Sequence, residues 1–166
     1  MSKLVRKRLI SCLKSNRKYR EYVIQLNEYL KLFQADHEAW LELSDAYLSE
    51  MEYGKAAFCL EELLLMNPHN HCYHQRYADV KYTQGQYETA KSYYSYSLKL
   101  NPNNVRALYG IMLVTANLKS GGKLAQKEGA ENAKLNAWAR EQIDLKYKVD
   151  IFNLNSLIFV ACSIDI

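Results

Sequence analysis

The sequence predicts an all-α superhelix, a right-handed solenoid of stacked helical hairpins. Three observations carry that reading. Asn-Pro occurs at residues 67–68 and again at 101–102, each time within N-P-x-N and 34 residues apart. A fixed period of that size is the mark of one helix–turn–helix unit stacked on the next. Within the period Trp40, Leu43, Ser44 and Tyr47 fall at i, i+3, i+4 and i+7, one face of a helix. Only six Gly and two Pro occur in 166 residues, too few for a turn-dense all-β protein.

The units follow in order. Residues 1–36 read as a degenerate N-terminal hairpin, with Leu9, Ile10 and Leu13 on its first helix and Leu26, Tyr29 and Leu30 on its second. It has Tyr22 where a small residue is expected and Gln34 in place of proline. Residues 37–70 and 71–104 are the two clear repeats. Their structural positions are Trp40, Leu43, Tyr47, Ala56, Leu60, Leu63 and Pro68, then Tyr77, Ala78, Gly85, Tyr87, Ala90, Tyr94 and Pro102. Small residues at 56 and 90 let two helices approach. Gly85 accepts the positive φ of a tight turn. Each proline ends a helix, and Asn70 or Asn104 can cap the next. The second unit departs at His74, Lys81 and Ser97, where apolar or small residues are expected. Residues 105–148 form a divergent C-terminal unit, in which the stretch GGKLAQKEG is read as a linker before a helix with Trp138 and Ile143 on one face. Residues 149–166 form an apolar tail outside the repeat register. Tyrosine is abundant, at 14. A long ring fills space between stacked helices while its hydroxyl reaches water.

These positions resemble the tetratricopeptide repeat. The stretches NEYL, EAWLEL, KAAFCLEEL, NPHNH and RALYG resemble more narrowly the family of subunit 2 of the endoplasmic reticulum membrane protein complex, over about residues 6–148. That resemblance implies a non-catalytic scaffold subunit, peripheral on the cytoplasmic face of the endoplasmic reticulum membrane. It would support insertion of tail-anchored and multi-spanning membrane proteins through contacts with the other subunits of the complex. No cofactor is implied, no small-molecule substrate and no nucleic acid, and membrane association would be indirect. The family has further repeats before the aligned segment and polar helical sequence after it. The resemblance therefore implies a truncated or alternatively spliced form whose tail derives from other sequence. Terminal units of a solenoid need caps, and the ragged start and apolar end predict weak stability for the chain alone.

Charge and cysteine use bound the alternatives. Residues 1–20 carry eight Lys/Arg and no acid, which leaves 14 basic against 18 acidic residues in the remainder. Such an arm suits RNA, acidic lipid or an acidic partner, but a solvated helix face explains it as well. The four cysteines are scattered without CxxC pairing and read as reduced thiols. The N-terminus lacks the apolar core of a secretory signal, and no stretch is long and apolar enough for a transmembrane helix.

The sharpest chemical candidate is NPHNHCYHQ at residues 67–75. On a helix, Cys72 and His74 lie about 160° apart and cannot readily share an ion. A tetrahedral zinc site wants four converging ligands, so the stretch reads as the seam between two repeats. Cys59 sits at a packing position that disfavours the thiolate. Glu61 and Glu62 read as a solvated face. Gly121-Gly122 lacks phosphate-loop spacing. No catalytic residues are assigned. The candidate partner-binding surface is a concave groove on the first helices, lined by Glu38, Leu41, Glu42, Asp45, Gln75, Arg76, Asp79, Tyr82 and Thr83. The alternative function is a co-chaperone or adaptor that holds a peptide in this groove. An acidic C-terminal peptide would need cationic donors, which the acids of residues 38–45 oppose.

Overall fold

A computed structural model describes the backbone of residues 2–118 and 125–162, with side chains described for 2–118 and 129–148. Eight helices occur among these residues: α1 Lys3–Ser15, α2 Tyr19–Leu32, α3 His37–Ser49, α4 Tyr53–Met66, α5 His71–Thr83, α6 Tyr87–Leu100, α7 Val105–Leu118 and α8 Ala125–Cys162. The first helices of the four hairpins begin at residues 3, 37, 71 and 105, and the second helices of the first three at 19, 53 and 87. The 34-residue period thus holds from the start of α1, although α1 and α2 carry few of the repeat's residues.

The turns repeat as faithfully as the helices. Arg17, Met51 and Gly85, spaced by 34, have φ of 56°, 59° and 76°. This is the left-handed position that closes a helix. Sequence reading finds only the glycine. Arg17 and Met51 hold the same conformation against the crowding of a Cβ. Met51→Gly is therefore expected to stabilise the protein by about 0.5–1 kcal/mol, and Gly85→Ala to destabilise it by about 1 kcal/mol. Chemical denaturation of the two variants checks the opposite signs.

Small residues sit where helices cross: Ser44, Ala56, Ala78, Ala90 and Ser97 are fully buried. Leu26, Tyr29, Leu43, Leu60, Leu63, Leu108 and Ile111 fill the spaces between them. Trp40, Tyr47 and Tyr87 are half-buried on the same core, and both prolines are exposed. Asn70 Oδ1 accepts from the Cys72 N–H at 3.0 Å and Asn104 Oδ1 from the Ala107 N–H at 3.2 Å, so both caps form.

The three departures of the second repeat each find polar partners. The His74 imidazole is buried, with Nε2 2.7 Å from the Pro68 carbonyl. Lys81 lies over the Tyr77 ring and 3.9 Å from Glu61. The Ser97 hydroxyl donates to the His71 carbonyl at 2.8 Å.

Several expectations are corrected. Tyrosine hydroxyls do not simply reach water: Tyr22, Tyr29, Tyr77 and Tyr94 donate to Glu42, Asp36, Glu61 and Asp79. Glu61 is therefore a paired acceptor and not a free solvated charge. Leu9 is exposed, while Ile10 and Leu13 pack inward. Trp138 and Ile143 do not share a face. Five residues on a helix separate them by about 140°, and the buried side of α8 is Asn132, Asn136, Ala139 and Ile143. Helix α8 begins at Ala125, inside the stretch read as a linker, and its backbone continues without a break through the expected tail to Cys162. Residues 121–124 of the first stretch and 163–166 of the second lie outside the described residues. No helix among the described residues is long and apolar enough to cross a membrane.

Candidate interaction face on the first helices

The first helices α1, α3, α5 and α7 lie side by side, and a ladder of opposite charges crosses their common face. Lys7 Nζ is 2.9 Å from Glu38 Oε2. Lys14 Nζ is 3.5 Å from Glu42 Oε1. Arg76 pairs with Asp45, and both Nε and a terminal nitrogen of Arg106 reach Asp79, at 3.1 and 3.0 Å. Every rung joins one first helix to the next.

Asp79 is the most heavily used of these acids. Besides Arg106, it accepts from the Tyr94 hydroxyl at 2.6 Å and from Gln75 Nε2 at 2.7 Å. Burial, then the bond to Asp79, pushes the Tyr94 hydroxyl well above the ordinary phenol pKa. Tyr94 belongs to α6, so one carboxylate ties α5, α6 and α7 together. Asp36 does the same at the other end. It caps α3 through the Ala39 N–H, accepts from Tyr29 at 2.6 Å, and holds Lys7 and Lys3 at 2.9 and 3.2 Å. Burial acts to raise its pKa, but the bonds from Tyr29, Lys7 and Lys3 outweigh it and hold the carboxyl below the usual range.

The sequence-predicted groove residues divide into two sets. Glu38, Glu42, Asp45, Arg76 and Asp79 form the ladder. Tyr82 accepts from Asn117 at 2.9 Å, and Thr83 is exposed with its hydroxyl donating to the Val80 carbonyl at 2.7 Å. Leu41 and Gln75 turn inward instead. Leu41 packs on the core between α4 and α5, and Gln75 is buried beside Asp79. A cavity of 230 Å³ with Leu48 and Val80 at its base opens between Arg76 and Arg106. Sequence reading missed Lys7, Lys14 and Arg106. A signal for them exists: the paired charges are 27, 28 or 31 residues apart, one or two helical turns short of the 34-residue period.

The histidine and cysteine residues of 69–74 do not gather on one point: Cys72 Sγ lies 3.6 Å from His71 Nδ1, but His74 stands apart from that pair. His74 is buried between Tyr93 and Tyr96, whereas the His71 ring lies beside the side-chain amides of Asn101 and Asn104, at 3.1 and 3.3 Å. Among the described residues no three His, Cys, Asp or Glu side chains are placed to hold a metal ion. Cys59 is buried, and burial pushes its thiol up to about 12.

Comparison with known proteins accounts for the fold and most of the chain. The family model described as the EMC2 TPR-like repeat domain matches residues 1–100. The chain is 46% identical over 147 residues to ER membrane protein complex subunit 2 of Xenopus tropicalis, covering 87% of this chain and 50% of that protein. It is 32% identical to the Dictyostelium discoideum protein of the same name, over 82% of this chain and 46% of that one. The chain thus spans about half the length of the curated relatives it matches. Among solved structures, MamA superposes with a TM-score of 0.66 at 18% identity, covering 85% of this chain and 78% of that one. The first tetratricopeptide domain of Spaghetti (RPAP3), solved with the HSP90 peptide SRMEEVD, superposes at 0.61 and 19% identity, covering 71% and 94%. These two likenesses establish the tetratricopeptide fold, and the match of family model and relatives shows that the chain belongs to the family of ER membrane protein complex subunit 2.

Proposed function

We propose that this chain is a non-catalytic scaffold subunit of the endoplasmic reticulum membrane protein complex. It would sit on the cytosolic side and support insertion of tail-anchored and multi-spanning membrane proteins by holding other subunits. The observation that carries the reading is 46% identity across 87% of the chain to proteins named as subunit 2 of that complex. The first-helix face supports it. Its charged side chains are committed to one another across helices, an arrangement that fixes the shape of a surface. Glu38, Glu42, Asp45, Arg76, Asp79, Tyr82 and Thr83 are the residues proposed to meet partner subunits there. Association with the membrane is then indirect, through those subunits.

Affinity purification of the tagged chain from cells, with the complex's subunits quantified, tests this. Recovery of the membrane-embedded subunits in near-stoichiometric amount is expected, and their absence overturns the reading. The adaptor alternative is tested with a peptide ending in Met-Glu-Glu-Val-Asp. A carboxylate clamp needs free cationic donors, yet Arg76 and Arg106 are engaged by Asp45 and Asp79, and Lys7 by Asp36 and Glu38. No micromolar binding is expected, and its detection would favour the adaptor.

A further inference from the structure

We propose that the trough between α2 and α4, on the second-helix side of the solenoid, is a docking site for an amphipathic helix of another protein, anchored by one aromatic side chain. The repeats argue the site against each other. Positions 59 and 93 are equivalent, 34 residues apart. Tyr93 fills the junction between α4 and α6, its ring edge-on to Tyr77 at 4.5 Å between centroids and stacked at 5.9 Å on His74. At position 59 stands a cysteine, and the corresponding space between α2 and α4 is open. It is a cavity of 250 Å³ bounded by Trp40, Tyr47, Phe58 and Cys59. That cavity runs into a second, of 450 Å³, lined by Tyr19, Val23 and Ile24. The two share Tyr47 and Lys55.

The trough has the shape and rim that a helix needs. Its α2 wall uses residues 19, 20, 23, 24 and 27, its α4 wall 55, 58 and 59, and its α3 floor 40, 43, 46 and 47. Each set recurs at one turn of a helix, so the trough follows α2 for about 12 Å. Ile24 and Phe58 stand on the walls with 59% and 54% of their surface exposed, large apolar side chains without a cover. At the mouth, Arg20 and Glu50 face the 450 Å³ cavity, and neither forms an ion pair among the described residues. Lys55, by contrast, is held by Glu52 at 3.4 Å and lies over the Tyr47 ring. A partner helix with an aromatic residue on its apolar face, an acid towards Arg20 and a base towards Glu50 complements both rims. The mixed rim is a poor match for an anionic lipid surface, which favours a uniformly basic one.

The test uses the full chain and two fluorescein-labelled helical peptides of about 16 residues. One has a Trp-centred apolar face flanked by Glu on one side and Lys on the other. The second replaces the Trp with Ala. Saturable binding of the Trp peptide is expected, with the Ala peptide about tenfold weaker or more, as for a buried aromatic anchor. Cys59→Tyr places in this junction the ring that Tyr93 supplies in the next, and Ile24→Glu charges the wall. Each should weaken the Trp peptide by at least about tenfold with helical content retained. If Cys59→Tyr lowers the melting temperature, the exposed Ile24→Glu decides. Arg20→Glu should weaken the Trp peptide and favour a version with its Glu and Lys flanks exchanged. No saturation by about 1 mM, equal binding of the two peptides, or indifference to Ile24→Glu overturns the proposal. Sedimentation showing self-association that Cys59→Tyr abolishes would assign the trough to a second copy. Phosphatidylserine-vesicle binding lost in Ile24→Glu would assign it to lipid. Either outcome also overturns the proposal.

Discussion

Asp36→Ala is expected to lower the stability of the protein by about 2–4 kcal/mol. Asp36 is the N-cap of α3, and losing a cap costs about 1 kcal/mol. Its carboxylate is also the acceptor for the Tyr29 hydroxyl at 2.6 Å, and Tyr29 is fully buried. Alanine leaves that hydroxyl without a partner, which costs about 1–3 kcal/mol. The ion pairs to Lys3 and Lys7 add little, because both ammonium groups are partly exposed and such pairs are screened. In urea unfolding the midpoint should fall with the slope unchanged. An unchanged midpoint would mean that α1 and α2 are not coupled to the rest through this residue. Acid dependence gives a second reading of the same carboxyl. Its folded pKa lies below the ordinary value of 3.8. Its contribution is therefore complete above that value and is lost as pH falls through the folded one. The wild-type protein should lose stability on acidification below about pH 5, and Asp36→Ala should lose measurably less over the same interval.

Asp36 also shows what the sequence could and could not reveal. That a helix begins after it is legible from its residue type and the apolar spacing that follows. Its four donors come from three separate segments, and nothing local in the sequence names them. The same holds for the ladder. The 34-residue period, the small residues at 56 and 90 and the capping asparagines were all readable, because each is fixed by local chemistry repeated at constant spacing. For Lys7, Lys14 and Arg106 the sequence offers opposite charges one or two turns short of the period, but which of them pair depends on how far each first helix slides along the next. Leu41 and Gln75 were placed on the groove by periodicity alone. One side of that stripe belongs to the neighbouring hairpin: Leu41 packs against the core of α4 and α5, and Gln75 lies buried beneath the ladder with its amide on Asp79. Met51 and Arg17 hide for a different reason: neither residue type gives a sign of the left-handed turn that both adopt.

Gly110→Ala should destabilise the protein by about 1–3 kcal/mol, against the direction that helix propensity alone would give. Gly110 lies inside α7 and is buried. An alanine in a helix interior is ordinarily favoured over glycine by about 1 kcal/mol. Here the added Cβ would stand 2.5 Å from Cε1 and Cζ of Tyr94 and 2.8 Å from its Cδ1, far inside van der Waals contact. The Tyr94 ring has little freedom to yield. It is buried in the core, and its hydroxyl is fixed to Asp79, which also holds Arg106 and Gln75. Moving the ring therefore strains the most heavily used carboxylate of the first-helix face. Gly54→Ala is the control, because a Cβ there meets nothing within 4 Å. It should be neutral or stabilising by up to about 1 kcal/mol. In a Tyr94→Leu background the far edge of the ring is gone, and the cost of Gly110→Ala should shrink by about 1 kcal/mol or more, the coupling of two residues in direct contact. Equal costs in the two backgrounds would show that the penalty arises elsewhere in α7.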